Sequence, residues 1–189
     1  MTDVVETKRQ KRSAALHGRP AFDFHVTETE IMVDNENSIP NIAELLGQVL
    51  RTIEPQLQPL LLARLERLAA QRYRSWASDH PDPSVKEGLL ACADREEEIA
   101  IRVESLDPNA SAIQEKLLSD HPELLDLNRT LFEGRPLKVQ FAMQAQGEMA
   151  GAAAWKAYAA GASDPLAAEL LRSCSALEEA NAAFLNTLV

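Results

Sequence analysis

The chain has 189 residues, 46% of them hydrophobic and 25% charged, which suits one domain with a sizeable core. Its formal net charge of -10 excludes the basic surface that nucleic acid or an anionic membrane would require. No apolar stretch reaches the roughly 20 residues of a spanning helix, no signal-peptide core opens the chain, and two cysteines make no disulfide scaffold, so the expected address is cytoplasmic.

Residues 1–37 read as an N-terminal arm, extended or partly disordered. The basic run Lys8 to Arg12 is read as a solvated tail rather than a docking patch. Phe22, Phe24 and Val26 alternate with Asp23, His25 and Thr27, which gives an extended segment one apolar face. That segment either packs on the chain's own helices or on a neighbouring subunit, or it is a mobile tail. Residues 38–189 read as one all-α domain. Pro40 opens a short helix with an apolar face of Ile42, Leu45, Leu46, Val49, Leu50 and Ile53.

A first long helix is expected from about Leu57 to Asp79, and Asp82-Pro83 caps and starts a second that runs to about Leu106. Asp107-Pro108-Asn109 stops it. Residues 107–135 form a crossover with helical patterns at Ile113 to Leu118 and Glu123 to Phe132, far longer than a tight turn needs. A third long helix follows from near Pro136 to about Gly161, and Asp164-Pro165 starts the fourth. The length of the crossover lets the second and third long helices run parallel.

The hairpins 57–106 and 136–189 share a repeat. Shifted by 82 residues, Glu66 to Leu106 falls without a gap on Glu148 to Leu188, and twelve of the 41 pairs are identical. Nine matches remain without the alanines, among them Asp82/Asp164, Pro83/Pro165 and Cys92/Cys174. This points to a duplicated helical hairpin.

Spacings of three, four and seven residues share a helix face, and each long helix places one glutamate on its apolar stripe. The stripes are Leu62, Glu66, Ala69, Tyr73; Leu89, Cys92, Glu96, Ile99, Val103; Phe141, Gln144, Glu148, Gly151, Trp155; and Leu171, Cys174, Glu178, Asn181, Leu185. No Lys or Arg lies on any of them. Four ionised carboxylates in a core each cost several kcal/mol to desolvate and repel one another, so they share protons, bind cations, or face solvent on rotated helices.

Glu on a first helix with Tyr seven residues on, then a hairpin to a second Glu, repeated after a crossover, resembles the ferritin-like superfamily, rubrerythrins in particular. The resemblance covers Glu66 to Leu188 and implies a ferritin-like four-helix bundle with a di-iron or di-manganese centre. Glu66, Glu96, Glu148 and Glu178 match that family's glutamates. Its two histidines are replaced by Ile99 and Asn181, and His17, His25, His80 and His121 all lie elsewhere. Asn181 offers a carbonyl oxygen, so the remaining donors are all oxygen and suit a hard cation: Mn, Mg or Ca, with Fe admissible. The expected metal ligands are Glu66, Glu96, Glu148, Glu178 and Asn181, for one or two ions of Fe or Mn.

Beside these, Glu97 and Glu179 are expected in solvent, Tyr73 and Trp155 in the core, and Cys92 and Cys174 as buried free thiols on opposite sides of the midplane. The small-residue run Ala150 to Ala154 leaves room beside Glu148 and, with the Phe-bearing arm, suggests a homo-oligomer. No nucleotide loop, Cys/His metal spacing or nucleophile with an adjacent base is present. The reading is a divergent carboxylate metal site at the bundle centre, for iron or manganese binding and oxidation, with no small-molecule substrate identified. The alternative is a metal-free ferritin-like scaffold or interaction protein, and a third possibility is protonated glutamates lining a ligand pocket.

Overall fold

The computed structural model describes residues 41–189, which form seven helices and, among the described residues, no strand. The expected arm at 1–37 lies outside the described residues. Helix α1 (Ile42–Leu50) starts where the Asn41 side chain accepts from the Glu44 amide at 3.2 Å. The long helices are α2 (Gln58–Asp79), α3 (Pro83–Glu104), α6 (Leu137–Gly161) and α7 (Pro165–Leu185). The crossover holds α4 (Ala110–Asp120) and α5 (Glu123–Phe132). The ends of α2, α3, α5 and α6 fall within about two residues of those expected, whereas α1 stops three residues before Ile53 and α4 starts three residues before Ile113.

The local chemistry explains the boundaries. Asp82 has φ -85° and ψ 119° and accepts from the Ser84 amide, while Asp164 has φ -86° and ψ 120° and accepts from the Leu166 amide. In both, proline fills the first helical position, where no N–H is needed. Gly134 sits at φ 77°, beyond the end of α5, a left-handed conformation that a side chain would strain.

The three-residue turn at 80–82 folds α3 back on α2, and the turn at 162–164 folds α7 back on α6. Tyr158 bonds Gln58, Arg72 bonds Gln144 and Trp76 bonds Gln140, so α2 and α6 run antiparallel. Arg102 bonds Ser173 and Arg95 bonds Asn181, so α3 and α7 do too. It follows that α3 and α6 run in the same direction, as the long crossover required.

Two apolar clusters fill the space between these helices. One contains Tyr73, Trp76, Leu89, Cys92, Phe141, Met143 and Leu185. The other contains Leu62, Ile99, Val103, Trp155, Leu171 and Cys174. On every long helix the stripe glutamate falls in sequence between the residues of the two clusters, so the carboxylates form a polar layer across the core. Cys92 and Cys174 are free and buried in different clusters, one on each side of that layer. No described helix is long and apolar enough to cross a membrane.

Candidate metal centre

The polar layer brings four glutamates from four helices together. Glu96 is 0% exposed and Glu148 and Glu178 are each 1% exposed, whereas Glu66 is half-buried. One carboxylate oxygen from each of Glu66, Glu96 and Glu178 lies within 4.8 Å of the others. Glu148 is not part of that triad. Its Oε1 accepts from Tyr73 Oη at 2.7 Å and from Gln144 Nε2 at 2.6 Å, which hold it toward α2 and its own helix. Its Oε2, like Glu96 Oε2, is buried with no hydrogen-bond partner among the described residues.

Burial is the leading cause of a raised pKa at three of these groups, because a charged carboxylate is poorly solvated there. Glu66 is pushed up to about 8, first by desolvation and then by the charge of Glu148. Glu96 rises well above the usual carboxylate range through desolvation, then Glu148 and Glu66. Glu178 rises likewise through desolvation, then Glu66 and Glu96. Tyr73 is also raised, chiefly by burial and then by Glu148, so its hydroxyl stays protonated and donates. Burial pushes both thiols up to about 12, which leaves them protonated and poorly nucleophilic.

No Lys or Arg lies on the stripes, but two arginines reach the layer from outside them. Arg72 stacks over the Phe132 ring, 4.1 Å from its centroid, and donates to Gln144 Oε1, which passes the polarity on to Glu148. Desolvation lowers the Arg72 pKa, while Tyr73 and the glutamates raise it, and a guanidinium stays charged throughout. Arg95 donates to Asn181 Oδ1 at 3.0 Å. A long side chain reaches a core layer from a flanking position, which a stripe of Cα positions does not register.

That bond also fixes Asn181. Arginine has only donors, so the Asn181 oxygen faces Arg95 and its amide nitrogen donates to Glu96 Oε1 at 2.8 Å. The carbonyl expected to face a metal is therefore turned away, and Asn181 instead orients Glu96. Ile99 is buried in the apolar cluster below.

Trp155 is core as expected, but its indole Nε1 also donates to Glu178 Oε1 at 2.7 Å. Gly151 leaves the space that Glu178 occupies: a Cβ there would lie 2.5 Å from Glu178 Oε1. Glu97 pairs with Arg67 and Arg74, and Glu179 with Lys156, all outside the layer. Gln144, Arg72 and Arg95 are thus the polar partners whose role the stripes leave open. Comparison of the chain with protein-family models, curated proteins and solved structures gives no match.

Proposed function

We propose that the chain is a ferritin-like four-helix bundle, built from a duplicated hairpin, whose central carboxylates hold a hard metal ion. The twin Asp-Pro starts with near-identical cap angles, and the parallel course of α3 and α6, support the duplication and the topology. One observation carries the functional reading: oxygens from three helices meet in the interior beside two buried carboxylate oxygens that no donor among the described residues satisfies. Buried carboxylates are stable when a cation or shared protons balance them.

The donor set fits a single hard ion better than a symmetric pair. Glu66, Glu96 and Glu178 would hold it, and Glu148, whose Oε1 is taken by Tyr73 and Gln144, would offer its Oε2 beside them. Iron or manganese, the metals implied by the resemblance, would supply Lewis acidity and redox capacity there. Trp155 and Asn181 orient Glu178 and Glu96 by donating to one oxygen of each, which leaves the other oxygen of each carboxylate for a ligand. Tyr73 holds a proton at Glu148 Oε1.

The test is metal content by plasma mass spectrometry, on protein purified without chelator and after exposure to Fe(II) or Mn(II), beside Glu96→Ala/Glu178→Ala. Near one ion per chain, lost in the double variant, is the expected result. Wild type that stays empty under both conditions would sink the metal reading. The metal-free scaffold is favoured by one observation, the amide of Asn181 capping Glu96 where the family places a histidine ligand. In that case Glu96→Leu or Glu178→Gln should stabilise the protein without loss of any ion.

A further inference from the structure

A cavity of about 120 Å³ lies between α1, α2, α5 and α6 and ends on the carboxylate layer. Its outer wall is apolar, with Leu46 of α1, Leu65 of α2, Leu131 of α5 and Met143 of α6. Its floor is polar and includes Glu66, Glu148 and Glu178, with Arg72 and Gln144 beside them. Helix α1 turns its apolar face to this space, yet none of its own residues is fully buried. A helix that completed a core would bury that face; α1 roofs a cavity instead.

We propose that this cavity binds a small uncharged molecule with an apolar body and one hydroxyl, seated with the hydroxyl on the carboxylate floor. Size sets the body: an apolar cavity of about 150 Å³ admits the six heavy atoms of benzene, so this one of about 120 Å³ takes about five. The apolar wall penalises a charged or strongly polar body. An anion has no hydrogen to donate to the acceptor oxygens of the floor. A hydroxyl both donates and accepts, so it can serve a carboxylate, a carboxylic acid or the Arg72 guanidinium. Glu148 Oε2, on a cavity-lining residue, has no hydrogen-bond donor among the described residues. As a substrate site the cavity rests on the carboxylate layer being the working centre, but binding itself needs no metal.

The chain's methionines provide the readout. Met143 is fully buried on the cavity wall, while Met149 on the same helix is 51% exposed and does not line it. The whole chain, stripped of metal and labelled at the methionine methyls, would be titrated by NMR with 2-methylpropan-1-ol, with its chloro analogue 1-chloro-2-methylpropane and with 2-methylpropanoate. The Met143 methyl should shift saturably at roughly millimolar 2-methylpropan-1-ol, with Met149 still, and the chloro analogue and the carboxylate should each bind at least threefold more weakly. In Gly147→Leu, which directs a side chain into the cavity from α6, the Met143 response should vanish. Absence of a Met143 shift in wild type, equal movement of Met149, or binding of the chloro analogue or the carboxylate as tight as that of the alcohol would overturn the proposal, even if Gly147→Leu does not fold. Because the protein is metal-free, this outcome and that of the metal assay are independent.

Discussion

Tyr73 Oη donates to Glu148 Oε1 at 2.7 Å, joining α2 to α6 inside the carboxylate layer. Both residues are essentially sealed from solvent, so the bond has no water to replace it. Tyr73→Phe leaves Glu148 Oε1 with Gln144 alone and should destabilise the fold by about 1–3 kcal/mol. Urea unfolding should show a lower midpoint at an unchanged slope; an unaltered midpoint would mean the hydroxyl contributes nothing.

Metal-free protein should lose stability as pH rises. The folded-state pKa of Glu66, about 8, and those of Glu96 and Glu178 all lie above the ordinary 4.5. Between those limits the native state binds more protons than the unfolded one, so unfolding free energy falls with pH. Glu104, lowered by its bond to Arg67, acts in the opposite sense and only under acid conditions. Thermal melting at pH 5.5, 7 and 8.5 should give a descending series, flattened by Mn(II) or Fe(II). Loading with either ion near pH 7 should release protons, detectable by calorimetry in buffers of differing ionisation enthalpy.

Removing a buried charge without changing shape should separate stability from metal affinity. Glu178→Gln keeps an acceptor for the Trp155 indole and abolishes a carboxylate that is costly to ionise. At pH 8, without metal, it should raise stability by about 1–4 kcal/mol while weakening metal uptake at least tenfold. A variant that melts lower than wild type at that pH would contradict the burial argument.

Gly151→Ala should damage the same carboxylate from the opposite side. The added Cβ would lie 2.5 Å from Glu178 Oε1 and 2.9 Å from its Cδ, so the carboxylate must move away from its place beside Glu66 and Glu96. Alanine favours a helix, yet the overpacking should cost about 1–3 kcal/mol. A melt and a metal titration on one preparation would check both effects.

Much of this arrangement could be read before folding because it depends on neighbours along the chain. The twin Asp-Pro starts, the helix spans and the glutamate on each stripe follow from capping and from the 3.6-residue period. Each is a property of one helix or of two helices compared in sequence.

Only the tertiary structure decided the electrostatics of the layer. Arg72 and Arg95 lie off the stripes, and their reach depends on where α6 and α7 pass. Asn181 belongs to the stripe, but Arg95 on another helix settles which of its ends faces Glu96. The division of four equivalent glutamates into a triad and a tethered Glu148 comes from Tyr73 and Gln144, and the cavity from the way α1 lies over α6. Periodicity places a side chain on a face; its partners, its charge and the space beside it are set by residues far away in the chain.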